Sequence, residues 1–234
     1  MSTPPSKTEF VIAIPIYDGV DLMDVAAPTE MFFTLNGYWP DKQVNIYHVA
    51  RDRKVVATRD GTLLTPQRTF AELPAADLLW TPGGDPDALS TLMYSDAGKP
   101  YLDYLRLIGG RPTDERALWV TSVCEGALLL AQAGLLNGFQ ATTHWAFMKC
   151  LRDRFPKIKV VEDGHPRYVI DRNRVTGAGI SAGLDEALFV IQLIAGTAAA
   201  ASVQLFTQYF PMPPVTGTIP PAGDCPVKQP ASFR

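Results

Sequence analysis

Cysteine is scarce in this chain: Cys124, Cys150 and Cys225 are the only three, with no CxxC spacing. An odd, sparse set argues against a disulfide framework and against a structural zinc site, so a reducing, cytoplasmic location is the expectation. Histidine is equally rare, at three residues. No cluster of His, Cys and carboxylates falls at ligand spacing, so no metal and no organic cofactor is expected. Positive charge is not concentrated: 21 Lys and Arg against 24 Asp and Glu leave a net charge of -3. Without a basic stripe, a nucleic-acid partner is not expected. The opening MSTPPSKTEF lacks a basic segment followed by an apolar run and does not read as a signal peptide. The longest mainly apolar stretch, 187–206, is broken by Gln192, Gly196, Thr197, Ser202 and Gln204 and preceded by Asp185 and Glu186. It reads as a buried or interface helix rather than a membrane span.

What the chain does have is enough length and apolar content for one sizeable core: 234 residues, 47% hydrophobic. Residues 1–8 read as a flexible N-terminus, 9–210 as a single α/β domain and 211–234 as a Pro/Gly-rich tail without regular structure. Apolar runs over 10–16, 44–50, 77–81 and 117–123 read as buried strands. Helical stretches fall over 24–35, 86–93, 99–108, 125–135 and 145–155, and one long final helix over 182–210. Asp60-Gly61 and Asp171-Arg172-Asn173 mark two hairpins. Strands alternating with helices imply a flavodoxin-like sandwich, a mostly parallel sheet covered on both faces. Its ligand crevice lies at the carboxyl ends of the strands, where Gly83-Gly84, Cys124 and the 20–24 loop converge.

Cys124 stands where the fourth strand meets a helix with no room for a loop, and Gly126 follows two residues on. That is the pattern of a nucleophile elbow, in which free helix N–H groups favour the thiolate. The same position also suits a buried, inert cysteine, which is common in protein cores.

SVCEGALLLAQAGLLNG followed by ATTHW, with TPGG upstream, GVDLMDVAAPTEMF near the start, TGAGISAGLDEAL and PMPPVTG, resembles the ThiJ/PfpI superfamily over nearly the whole chain. The pattern is most similar to its isonitrile hydratase branch. It also resembles the amidotransferase-like halves of AraC-type regulators, whose helix-turn-helix part is not in this chain. The resemblance implies Cys124 as nucleophile and Asp24 as the acid of the first helix. It implies Gly84 and the Glu125 amide as oxyanion donors, and His144, Gly179 and Ile180 as pocket residues. It also implies a small-molecule substrate, no membrane partner and a homodimer.

The chain departs from the branch at Glu125, where isonitrile hydratases usually carry Thr or Ser and the protease-like branch carries His. The missing His removes the adjacent base that a peptidase needs. Glu125 then either complements the helix dipole or faces the pocket as a second carboxylate. Asp24 has a plain alternative as a helix cap. Cys150 reads as packing, and nothing in the tail gives Cys225 a role. The implied reaction is hydration of an isonitrile to an N-substituted formamide through a cysteine thioimidate. A glyoxalase or deglycase-like activity, a cysteine redox sensor and a ligand-binding regulator are the alternatives.

Overall fold

The computed structural model describes residues 8–110 and 119–231. Residues 1–7 of the expected flexible N-terminus, and Ala117 and Leu118 of the fourth expected strand, lie outside the described residues. In chain order the elements are β1 (Thr8–Pro15), α1 (Leu22–Leu35), β2 (Lys42–Ala50), β3 (Val56–Ala57), β4 (Leu63–Leu64), β5 (Arg68–Thr69) and β6 (Leu78–Thr81). There follow α2 (Pro86–Tyr94), α3 (Lys99–Gly109), β7 (Trp119–Ser122), α4 (Gly126–Gln132), β8 (Gln140–Ala141) and a 3-10 turn (Trp145–Phe147). The chain continues with α5 (Met148–Arg154), β9 (Lys159–Val160), β10 (Tyr168–Asp171), β11 (Arg174–Gly177), α6 (Ala182–Ala195) and α7 (Thr197–Phe206).

Seven strands form the main sheet in the order β10-β11-β7-β6-β1-β2-β5. Every pairing is parallel except β10 with β11. Continuous apolar runs suit strands buried on both faces, and Leu78, Leu79 and Trp80 of β6 are fully buried. The winding reverses at β1, which has β2 on one side and β6 on the other. A crevice therefore opens at the carboxyl ends of β1 and β6, and β7 delivers its last residues beside it.

Three expectations need correction. The long final helix is two helices, because Gly196 takes φ +89 and ends α6. Glycine is the residue that accepts this left-handed turn without cost. The helix expected over 145–155 begins as a 3-10 turn capped by His144 before α5 starts at Met148. Cysteine is the third: Cys150 and Cys225 are joined in a disulfide across 75 residues. The tail brings Cys225 back to α5, a long-range approach that no spacing rule encodes. The bridge removes the ground on which a reducing location was expected.

The tail lacks regular structure yet is fastened. Val227 is fully buried in the core. The Arg154 guanidinium donates to the Val227 carbonyl at 2.6 Å, and Lys149 pairs with Asp224 at 2.9 Å. Ser90 donates to the Lys228 carbonyl, and Lys228 pairs with Asp87. Among the described residues, no helix is long and apolar enough to cross a membrane.

Candidate active site

Cys124 follows β7 after the single residue Val123 and takes φ +56, a conformation uncommon for a residue with a side chain. Three contacts fix the turn. The Cys124 amide donates to the Ala178 carbonyl at 2.9 Å, Val123 donates to Thr81, and the Thr143 hydroxyl donates to the Cys124 carbonyl at 2.7 Å. The second threonine of ATTHW thus braces the elbow from outside. Gly126 makes the sharp entry into α4 possible, since a Cβ there would lie 2.0 Å from the Thr81 carbonyl oxygen. Both sides of that contact are backbone, so neither can yield. Gly126→Ala is expected to cost about 2 kcal/mol or more despite alanine's better helix propensity. Urea unfolding midpoints at an unchanged slope check this.

Cys124 is only 1% exposed, but its neighbours include Asp21 and Glu125. Single ligand atoms of Asp21, Cys124 and Glu125 all lie within 4.8 Å of one another. Asp24 sits in the first turn of α1, fully buried, and its Oδ2 accepts from the Gly83 amide at 2.9 Å. The other oxygen, Oδ1, has no hydrogen-bond partner. The Trp80 indole donates to the Asp24 carbonyl at 3.0 Å and ties the start of α1 to β6. Asp24 is therefore no helix cap; its carboxyl points inward.

The oxyanion donors inferred from the resemblance are differently disposed. The Gly84 amide is engaged, donating to Glu125 Oε2 at 3.3 Å. Gly83, not Gly84, makes the close approach to the nucleophile: a Cβ on Gly83 would lie 2.8 Å from Cys124 Cβ and 2.6 Å from the Glu125 amide. Glu125 is buried, and its side chain is turned toward the sulfur rather than out along the helix dipole.

These surroundings reverse the expected titration of the thiol. Burial, then the charges of Asp24 and Glu125, push the Cys124 thiol well above its ordinary value. The S–H donates to the Glu125 carboxylate, which favours the protonated sulfur and the ionised acid. The helix N-terminus does not outweigh this desolvation. Burial raises the Glu125 carboxyl to about 7. Burial, then the Glu125 charge, raises Asp24 well above the usual carboxylate range. A thiol and two carboxyls with differently shifted titrations thus share one buried site, the arrangement that proton-transfer chemistry requires.

The histidine of ATTHW lies beside this group. His144 Nδ1 is 4.0 Å from Glu125 Oε1 and accepts from the Ala146 amide at 3.2 Å. Burial, then Arg59, lowers its pKa, so the neutral ring is the relevant form and the contact with Glu125 is not an ion pair. Gly179 lets the ring approach, since a Cβ there would lie 2.2 Å from His144 Cδ2. A cavity of about 330 Å³ is lined by His144, Trp145, Gly179, Ile180 and Ile219, among others. A larger cavity, about 480 Å³, is lined by Tyr17, Phe70 and Tyr101; neither cavity is lined by Cys124, Asp24 or Glu125 themselves, and the smaller one reaches them through His144 and Ile180.

Asp21, Arg59 and Glu186 escaped the sequence reading. Arg59, in the β3–β4 hairpin, pairs with buried Asp21 at 2.7 Å, and its positive charge also acts on Asp24. Glu186 on α6 is fully buried behind Gly177, and burial followed by the charge of Asp24 raises it well above the carboxylate range. Asp21, at the N-cap of α1, and Asp24, in its first turn, stand in a D-x-x-D spacing, a signal the sequence did hold. Nothing in the sequence brings Arg59 to Asp21.

Known proteins are similar to this chain. The DJ-1/PfpI family model matches residues 11–193. The isonitrile hydratase of Pseudomonas putida is 36% identical over 203 residues, 87% of this chain and 80% of that protein. An HTH-type transcriptional regulator of Pseudomonas aeruginosa is 24% identical over 188 residues, 80% of this chain and 47% of the regulator. A ThiJ/PfpI family protein from Pseudomonas syringae superposes with a TM-score of 0.76 at 33% identity, over 90% of this chain and 79% of that one. Drosophila melanogaster DJ-1beta superposes at 0.68 with 15% identity, over 86% of this chain and 98% of that one, a likeness of fold. With the family match covering most of its length, the chain belongs to the DJ-1/PfpI family.

Proposed function

We propose that this protein hydrates an isonitrile, R–N≡C, to the N-substituted formamide, with Cys124 as the attacking group. The observation that carries the reading is the buried Cys124 thiol donating to Glu125 while Asp24, itself raised by burial, reaches the same site. The 36% identity to an isonitrile hydratase over most of both chains supports the same choice.

The proton inventory closes. Asp24 starts as the neutral acid and gives its proton to the terminal isonitrile carbon. The sulfur attacks that carbon as its own proton passes to the Glu125 carboxylate, giving the thioimidate R–N=CH–S. The thiol's raised pKa is no obstacle, because the proton leaves during attack rather than before it. Water then adds to the carbon and yields one proton to the Asp24 carboxylate, while Glu125 returns its proton to nitrogen. The C–S bond breaks, the hydroxyl proton goes to sulfur, and R–NH–CHO departs with both acids restored. The Gly83 amide on Asp24 and the Gly84 amide on Glu125 hold each carboxyl in place through the cycle.

The deciding experiment follows formamide from a panel of alkyl and aryl isonitriles. Wild type is expected to turn over at least one of them. Asp24→Asn keeps the shape and acceptor of the side chain but removes the acid. Its kcat/KM is expected to fall about 10²- to 10⁴-fold. No turnover of any isonitrile, alongside conversion of methylglyoxal, would move the assignment to the glyoxalase-like alternative.

A further inference from the structure

We propose that the C-terminal tail is a strap, fastened by the Cys150–Cys225 disulfide, that carries Ile219 into the wall of the substrate cavity. Ile219 there sets the bulk of the R group that reaches Cys124. The inference rests on the reading above only in taking Cys124 as the attacking group, and it adds the cavity beside His144 as the route to that sulfur.

Four observations converge on it. Ile219 lines the 330 Å³ cavity together with His144, Trp145, Gly179 and Ile180. Two of its lining residues touch the chemistry: the Ile180 amide donates to the Cys124 sulfur, and His144 Nδ1 lies 4.0 Å from Glu125 Oε1. Beyond Ile219, residues Pro220, Pro221 and Ala222 line an adjoining recess with Trp145, Met148 and Arg152. The strap is held along its length by the disulfide, by the Lys149–Asp224 pair and by the Arg154 bond to the Val227 carbonyl. Proline-rich chain cannot hold itself in place through ladder hydrogen bonds, so these side-chain ties and the covalent bridge do it. Cys150 is fully buried in α5, which gives the bridge a rigid anchor.

A wall of this kind selects by size. A residue that narrows an apolar passage discriminates between groups differing by a few carbons by about tenfold or more. Ile219 is 42% exposed, so replacing it opens the passage without cutting into the core.

The test reads access to Cys124 directly and does not depend on turnover. With the disulfide intact, Cys124 is the one free cysteine. Its alkylation by iodoacetamide and by N-benzyl iodoacetamide is followed by peptide mass spectrometry. The ratio of the bulky to the small rate is expected to rise about tenfold in Ile219→Ala and to fall in Ile219→Trp. A Cys150→Ser/Cys225→Ser variant, its fold checked by near-ultraviolet circular dichroism, is expected to raise the ratio as well. A ratio within twofold of wild type in Ile219→Ala overturns the proposal. So does absence of Cys124 labelling in every folded variant across about pH 7 to 10, because raising the pH supplies the reactive thiolate and only a closed route then leaves the sulfur unlabelled. The isonitrile panel is run on the same proteins. A chain that shows the expected ratios but hydrates no isonitrile sinks the hydratase reading alone. One that hydrates isonitriles with ratios unmoved sinks the strap alone.

Discussion

Cys124→Ala will leave a folded protein that makes no measurable formamide. Alanine can take the same φ of +56 as the cysteine it replaces, and the amide and carbonyl bonds that brace the elbow belong to the backbone. Only the sulfur is lost, and with it the atom that would bond to the isonitrile carbon. Removing a covalent nucleophile from a site whose parts act as a unit costs about 10⁴-fold or more in turnover. Asp24 and Glu125 left alone have no bond to form with carbon, so the residual rate should be near that of free carboxylates. Acid quenching of wild type during turnover should trap a mass adduct on the Cys124 peptide, absent from the variant. Activity within tenfold of wild type would mean that the carboxylates, not the sulfur, run the reaction. The same buried thiol bears on the sensor alternative. A sulfur kept protonated by desolvation and two acids is a slow target for peroxide at neutral pH, since the thiolate is the reactive form.

The sheet was legible because its strands are continuous apolar runs separated by glycine and proline signals. The elbow was legible because a strand, a cysteine and a helix meet with no loop between them. The wiring of the site was not. Glu125 read equally well as a first-turn acid serving the helix dipole, and only its burial against Cys124 and Gly84 shows where its carboxyl goes. The thiol's titration came out with the opposite sign for the same reason: a helix N-terminus is worth a few tenths of a kcal/mol to ~1 kcal/mol, and full desolvation is worth several. Arg59 reaches Asp21 and Cys225 reaches Cys150 across tertiary distances that leave no local periodicity. Gly196 is the exception, a glycine followed by threonine in the middle of an apolar run. It was a stop signal on the page, overridden by the hydrophobicity on either side.

Glu125→Gln should make the protein more stable at alkaline pH and nearly inactive, a combination that follows from one carboxyl. In the open chain this acid titrates near 4.5, and in the folded protein near 7, with burial as the main cause. An acid whose folded pKa is raised holds its proton more tightly in the native state. Its favourable contribution is complete below 4.5 and is lost as pH climbs through about 7. Above that point the native state carries an ionised carboxylate it would rather not have, a cost on the order of 3 kcal/mol for the gap between the two values. Asp24 and Glu186, raised for the same cause, act in the same direction. Glutamine keeps an oxygen for the Gly84 amide but never ionises. The variant should therefore gain up to about 3 kcal/mol over wild type at pH 8 and nothing at pH 4, read from urea midpoints at both. Activity runs the other way. In wild type, kcat/KM should rise with pH through about 7 as Glu125 becomes able to take the thiol proton. Glutamine cannot take it, so that rising limb should vanish and the rate fall about 10²-fold or more. A variant less stable than wild type at pH 8 would show that the Glu125 carboxylate is stabilised by its neighbours rather than strained by its burial. The assignment of Glu125 as the proton acceptor for Cys124 would then lose its physical basis.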